Sequence, residues 1–375
     1  VRRFIGLMSG TSLDAVDGAL IELDEGGAGL RTAAFASHPF DHALRDELEA
    51  LQQPGPDELS RAAMSANRLA DAYARVVARL LAETGCPASA ITAIGAHGQT
   101  VRHRPELGYT IQLLNPARLA EACGIAVVSD LRAADVAAGG QGAPLAPAFH
   151  AQVFRHAAER RAVVNLGGIA NVSLVPPGAP DAEAVLGFDT GPANTLLDGW
   201  CRRYTGAAFD CGGDWARGGR SDAALLEAWL AEPYFGVAPP KSTGRDLFNS
   251  DWLDRSLAAT SDARAPDPCD VQATLVELTA VTVARACRAL RSDRIFVCGG
   301  GARNRFLMER LAAHAAPTPV ASTQALGIDP QAVEAAAFAW LAAQRVDRLP
   351  GNLPSVTGAR GARVLGLLAE PRPRE

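Results

Sequence analysis

Several short segments of the 375-residue chain combine glycine, hydroxyl and carboxylate groups in the way phosphate-handling sites do. In Gly10-Thr11-Ser12 the glycine lets backbone amides approach a ligand, and the two hydroxyls add donors to an anion-binding nest. Asp14 and Asp17 follow within one turn, and their carboxylate oxygens could hold a hydrated magnesium ion. An ordinary hairpin with a polar turn accounts for the same residues. Gly167-Gly168 is a second turn open to the same two readings. A third cluster, Gly299-Gly300-Gly301, lies between a strand pattern at Arg294–Cys298 and a helix pattern at Arg303–Leu311, so a nucleotide could rest on its amides and the helix N-terminus. Its spacing is not the dinucleotide G-x-G-x-x-G, and alone it is a weak signal. Lys241-Ser242-Thr243 has the ending of a Walker loop, but Pro240 stands where that loop needs glycine and has no amide to offer phosphate. Lys241, with Arg245 four residues on, is either one of two cations for an anionic substrate or part of a structural ion pair.

Asp189-Thr190-Gly191-Pro192 follows a strand pattern and is expected to open a helix, with Pro192 at its first position and Asp189 just ahead of the positive end. A capping aspartate is the plain reading. Asp-Thr-Gly also marks aspartic proteases, but those need two carboxylates sharing a proton, and this chain has one such tripeptide, followed by a helix pattern.

The elements that must position these residues alternate in type. Phe4–Met8 and Gly18–Leu23 read as strands joined by a small polar turn. Apolar residues from Leu59 to Leu80 recur at helical spacing over Glu58–Glu83, and Gly85 and Pro87 stop the pattern. Ile91–Ala96 and Ile125–Ser129 read as strands on either side of a helix at Pro116–Cys123. The opening plan then recurs: Val163–Leu166 and Val172–Val175 flank Gly167-Gly168, and Ala184–Phe188, Thr195–Tyr204, Val271–Leu290 and Arg294–Cys298 continue with strand, helix, helix and strand. Alternation of this kind predicts an α/β class with parallel strands, and the repeat predicts two copies of one architecture. Residues 209–249 are expected to be mostly irregular. The predicted boundaries are 1–158 for a first lobe, 159–330 for a second, and 331–375 for a helix at Gln331–Gln344 with a Pro/Gly-rich tail that crosses back to the first lobe.

Composition narrows the partners. A net charge of -5 with both signs interspersed leaves no positive field for nucleic acid or an anionic membrane. The seven cysteines stand singly without metal-ligand spacing and read as reduced, small core residues of a cytoplasmic protein. No stretch approaches the length of a membrane span. Lys241 is the only lysine; arginine supplies every other fixed cationic side chain.

Taken together, Gly10–Asp17, Ala138–Pro144, Asn165–Asn171, Phe188–Pro192, Pro239–Arg245, Cys298–Asn304 and Leu353–Gly358 resemble the anhydro-N-acetylmuramic acid kinase family, in family order along the whole chain. The resemblance implies a two-lobed, duplicated actin-like (ribonuclease H-like) ATPase fold with an inter-lobe cleft, of the acetate and sugar kinase and actin superfamily. It implies ATP and magnesium as cofactors, a small-molecule amino sugar as substrate, and a homodimer. Gly10, Thr11, Ser12, Leu13, Asp14, Ala15, Val16 and Asp17 become the ATP phosphate loop, with Asp14 and Asp17 toward the metal, and Asn165, Gly167, Gly168, Gly299, Gly300 and Gly301 further nucleotide contacts. Asp189 becomes the catalytic base. Ala15 and Ala193 stand where the family commonly has glycine, and Leu131 where an aromatic is expected.

A bridged anhydro sugar has no free 6-hydroxyl, so opening its C1–O6 bridge must accompany phosphoryl transfer. Arg132 is the candidate cation for the lactyl carboxylate, with Gln141, Gly142, Ala143 and Pro144 as polar contacts. His97 either lines the same cleft or packs, and Glu334 either hydrogen-bonds the sugar or is a solvated helix-face residue. The competing readings are a kinase of the same superfamily acting on an ordinary hydroxyl or carboxylate, and a non-metabolic actin-like ATPase.

Overall fold

The computed structural model describes the chain except residues 11, 12, 14, 25–28, 179–184, 240, 245, 261–265 and 373–375. Two compact units form, one from Val1–Val153 and Gly327–Glu375, the other from Phe154–Pro180 and Ala184–Leu326. The strands are β1 (Arg2–Ser9), β2 (Ala15–Leu23), β3 (Leu30–Pro39), β4 (Ile91–Ala96), β5 (Gln99–Arg104), β6 (Tyr109–Leu113), β7 (Val127–Ser129), β8 (Arg161–Leu166), β9 (Ile169–Val175), β10 (Leu186–Pro192), β11 (Arg294–Cys298), β12 (Val320–Ser322) and β13 (Leu367–Ala369).

In the first unit the sheet order is β13-β7-β4-β1-β2-β3. Strands β1, β2 and β3 form an antiparallel meander, while β4 runs parallel to β1 and β7 parallel to β4. Phe4, Ile5 and Leu7 are all fully buried, as befits a strand covered on both faces. The helix Glu58–Thr84 covers one face, where a Cβ on Gly18 would stand 2.4 Å from Val76 Cγ1. The helix Val333–Val346 lies backbone-to-backbone on the other. A Cβ on Gly6 would fall 1.7 Å from the Ala335 carbonyl, and one on Gly95, paired with Gly6 in register, 2.0 Å from that of Phe338. Only glycine permits that approach.

In the second unit the order is β10-β9-β8-β11-β12. The plan is the same: an antiparallel meander β8-β9-β10, then β11 parallel to β8 and β12 parallel to β11. Its core packs Trp200, Trp229, Phe248 and Trp252 around the buried helix Pro268–Ala289.

Where local signals were strong, the elements match the expectation. The helix Glu58–Thr84 ends at Gly85 in the left-handed conformation, and Pro116–Cys123 is capped by the Asn115 side chain, which accepts from the Arg118 amide. Four expectations are corrected. Asp189–Pro192 is not a helix opening: it belongs to β10, and the helix Asn194–Thr205 starts after it. Pro192 is tolerated because β10 is an edge strand. Residues 209–249 hold short helices, among them Ala223–Leu230, capped by Asp222 and buried through Leu225 and Trp229. The helix after the third glycine cluster runs Arg305–Ala315, capped by Asn304, and Gly300–Arg303 forms a 3-10 turn before it. The strand expected at Ile125–Ser129 is shortened to Val127–Ser129. Among the described residues no helix is long and apolar enough to cross a membrane, and all seven cysteines are free thiols.

Candidate active site

The second unit gathers Asp189 and two of the glycine clusters. Strand β11 runs parallel to β8 with Cys298 opposite Asn165, so the turns that leave their C-terminal ends lie side by side. Packing alone dictates three of the glycines. A Cβ on Gly299 would sit 2.3 Å from Asn165 Oδ1, on Gly301 2.6 Å from Leu166 Cβ, and on Gly168 2.6 Å from Thr195 Oγ1. Gly167 and Gly300 differ, since a Cβ there would find its nearest neighbour at 3.5 and 3.6 Å. Packing gives no reason for glycine at these two positions, and their bare backbone suits a close anionic ligand. The turns are tied down by the segment 193–195, in which the sequence reading passed over Asn194. Asn194 donates its side-chain amide to the Leu166 carbonyl at 2.9 Å, and the amides of Ala193, Asn194 and Thr195 donate to the carbonyls of Gly167 and Gly168. The signal for Asn194 was the polar pair Asn194-Thr195 directly after Asp-Thr-Gly-Pro-Ala.

Asp189 stands at a bulge, where pairing with β9 slips between Asp189 and Gly191. Gly191 has φ +144°, and a Cβ there would meet Phe235 at 2.6 Å. The Asp189 carboxylate is partly buried and accepts the Thr243 backbone N–H at 3.0 Å. Burial raises its pKa, and the Thr243 hydrogen bond works against that rise. A carboxylate with one amide donor among the described residues has lone pairs to spare for a water.

The first unit gathers the other candidates. Arg132 donates from Nε to His97 Nε2 at 3.0 Å and from Nη1 to the Gly142 carbonyl at 2.7 Å. His97 is buried, with its ring tilted against Phe338 at a centroid distance of 4.8 Å; burial first, then the Arg132 charge, pulls its pKa down to about 3. It is therefore a neutral imidazole that accepts at Nε2. Burial likewise lowers Arg132 to about 10, opposed by the carboxylates of Glu334 and Asp135. Glu334 is reached by solvent yet crowded by protein atoms; that crowding and the nearby Asp17 raise its pKa, while Arg132 opposes the rise. Gln141 donates its amide to the Thr357 carbonyl at 2.7 Å, Ala143 is partly buried, and Pro144 is exposed in the same loop.

Asp135, which the sequence reading missed, organises this loop. It is fully buried and accepts from the Gly142 amide at 2.7 Å, Asn352 Nδ2 at 2.6 Å and Thr357 Oγ1 at 2.7 Å. One carboxylate thus fastens the C-terminal segment to the loop whose carbonyl orients Arg132.

In the first glycine turn, Thr11, Ser12 and Asp14 lie outside the described residues. Leu13 donates its amide to the Gly10 carbonyl at 3.2 Å and carries the positive φ, +55°. Ala15 opens β2 opposite Pro39, Val16 is buried, and Asp17 pairs with Met8. Alanine at 15 therefore needs no left-handed conformation, and neither does Ala193, where φ is -135°. Leu131 is buried against Gly366. Among the described residues no group of three or more His, Cys, Asp or Glu side chains could hold a metal ion by itself. Asp17, close enough to Glu334 to perturb it, is an oxygen donor of the type magnesium takes alongside water and phosphate.

Two mixed-sheet α/β units of one plan, one of them presenting a partly buried aspartate beside glycine turns, make this chain an α/β enzyme. The family model described as anhydro-N-acetylmuramic acid kinase matches residues 2–371. Proteins of that name from Bordetella parapertussis and Variovorax paradoxus are 57% and 54% identical to it; the alignments cover 98% and 97% of this chain and 96% and 98% of theirs. Among solved structures, the activator of 2-hydroxyisocaproyl-CoA dehydratase from Clostridium difficile is similar over 92% of this chain and 97% of its own, at 14% identity and a TM-score of 0.48. The xylulose kinase from Rhodospirillum rubrum is similar over 99% and 95%, at 15% identity and a TM-score of 0.45. The chain belongs to the anhydro-N-acetylmuramic acid kinase family.

Proposed function

We propose that this enzyme opens 1,6-anhydro-N-acetylmuramic acid by hydrolysis and phosphorylates O6 from ATP, giving N-acetylmuramic acid 6-phosphate and ADP in cell-wall recycling. The family match over residues 2–371 carries this reading. Asp189, as the carboxylate, orients a water against C1 and takes its proton. The water oxygen forms the new bond to C1, the C1–O6 bond breaks, and O6 takes the γ-phosphoryl group as ADP leaves. Phosphorus captures the charge of the departing oxygen, so no separate acid is needed. The proton on Asp189 returns to solvent.

Arg132 pairs with the lactyl carboxylate, its guanidinium aimed by His97 and the Gly142 carbonyl. Glu334, near Arg132 and Asp17, hydrogen-bonds the sugar. Backbone at Gly10, Gly167 and Gly300 receives the phosphates, and Asn165, Gly168, Gly299 and Gly301 shape the turns that present it. Asp17 and Asp14 would hold magnesium together with ATP, and the ion would neutralise phosphate charge. The reading includes the duplicated actin-like fold of the sugar kinase superfamily, a cytoplasmic location and a homodimer.

The test is turnover in oxygen-18 water with Asp189→Asn alongside, reading product by mass spectrometry. Label at C1 of a 6-phosphorylated sugar, lost with the variant, is expected. Unlabelled phosphorylated product, or transfer only to an already opened sugar, would replace this reading with an ordinary sugar kinase.

A further inference from the structure

The chain uses arginine everywhere except position 241, and the surroundings of Lys241 give that exception a reason. Its Nζ lies 4.6 Å from the centroid of the Tyr234 ring and donates to the carbonyls of Tyr234 at 3.1 Å and Phe235 at 3.5 Å. Both carbonyls belong to the short helix Pro233–Gly236. Tyr234 in turn donates its phenolic hydroxyl to the Asp189 carbonyl at 2.7 Å. The Asp189 amide donates to the Lys241 carbonyl at 3.2 Å, which closes the circuit. Two residues further along the same loop, the Thr243 amide meets the Asp189 carboxylate.

The polar groups of the Asp189 backbone are therefore bonded on both sides to a loop and a helix that the Lys241 ammonium ties to each other. A compact ammonium can sit on a ring face and reach two adjacent carbonyls at once. A planar guanidinium spreads its donors in a fixed fork and does not match that arrangement.

We infer that Lys241 and Tyr234 are positioning residues for the reaction: they brace the backbone of Asp189 and the 241–243 loop so that the Thr243 amide and a water meet the carboxylate in one orientation. This rests on the reading of Asp189 as the base. Neither side chain touches a reacting atom in this assignment. The ammonium acts through Tyr234 and the loop, and the phenol acts through the Asp189 carbonyl.

The experiment compares Tyr234→Phe, Lys241→Met and the double variant with the wild type in the ATP-dependent reaction, after circular dichroism and thermal melting establish that each is folded. Tyr234→Phe removes one oxygen and keeps the ring under the ammonium, so it serves even if Lys241→Met does not fold. Each single variant is expected to lower kcat about tenfold, the scale of one lost hydrogen bond, with KM for ATP and for the sugar within about twofold. The double variant is expected to fall little below the weaker single, because both changes open the same circuit. The acid limb of the kcat–pH profile should move to higher pH as the Thr243 amide loosens from the carboxylate. Lys241→Arg is expected to recover less than half of the loss. An unchanged kcat and acid limb in Tyr234→Phe would overturn the brace. So would a tenfold rise in KM for ATP at constant kcat in Lys241→Met, which would make the ammonium a nucleotide contact. If Asp189→Asn still turns over normally, the base assignment has failed. If Asp189→Asn is dead while the Tyr234 and Lys241 variants are wild type, only the brace has failed.

Discussion

Two aspartates, one in each unit, are held in opposite ways. Asp135 is fully buried and accepts three hydrogen bonds, two from side chains more than 200 residues away in sequence. Asp189 is partly buried, accepts one backbone N–H among the described residues, and has its pKa raised by burial. A carboxylate whose lone pairs are spoken for fastens segments together and has little left to offer a substrate. A desolvated carboxylate with few donors is basic enough to take a proton and has room for the water that would give it. The same side chain thus becomes a rivet in one unit and a candidate base in the other, according to how many donors the fold aims at it.

The variant most able to break this contrast is Asp189→Asn. General-base removal should lower kcat by about 10²–10⁴-fold with KM little changed. With Asp189 as the proposed ionised base, the acid limb of the wild type should lie above the ordinary aspartate value, because burial raises its pKa and activity would be lost as pH falls through that raised value. His97, held near 3, should add no inflection around neutrality. Steady-state kinetics from pH 4 to 8 checks both statements, and an acid limb at or below about 4 would contradict the assigned environment.

Arg132→Met tests the other side of the comparison. It should raise KM for the sugar by about 10–100-fold, the range for a lost hydrogen bond to a charged group, while KM for ATP holds. If kcat collapsed instead and KM stayed put, Arg132 would belong with the chemistry and not with the holding of substrate.

How legible these two regions were in the sequence differs for a physical reason. The Asp189 neighbourhood announced itself through short contiguous segments, because glycine turns and the strand before them are local. Its secondary structure was still misplaced: Pro192 imitates a helix start, and only pairing with β9 makes Asp189–Pro192 a strand. The bracing of Asp189 by residues 234–243 was invisible, since it depends on backbone groups meeting across about fifty positions. Asp135 lay hidden for a stronger version of the same reason, having two of its three partners more than 200 residues away and no periodicity to mark it. The hairpin β5–β6 was missed because its apolar content is thin and few of its residues are buried. The helices Glu58–Thr84 and Pro116–Cys123 were plain, because periodicity, an Asn cap and terminal glycines agree within a few residues.

Asp135→Asn should act on stability before chemistry. The replacement turns one acceptor oxygen into an amino group facing donors, and about 1–3 kcal/mol of folding free energy should be lost. Denaturant unfolding measures this directly. KM for the sugar should rise, because the Gly142 carbonyl that aims Arg132 loses its anchor. A kcat loss as large as that of Asp189→Asn would erase the distinction between rivet and base.

The smallest effect is expected at Ala15, where the family commonly has glycine. If the loop after Gly10 needed a left-handed residue at 15, Ala15→Gly would relieve strain and stabilise the protein. The structure puts the positive φ on Leu13 and starts β2 at Ala15, paired with Pro39. Glycine there should instead lower stability by about 0.5–1 kcal/mol, through the backbone entropy it adds to the unfolded chain, and leave kcat unchanged. Thermal unfolding of the single variant decides between the two. A rise in melting temperature would mean that position 15 favours a conformation other than the start of β2.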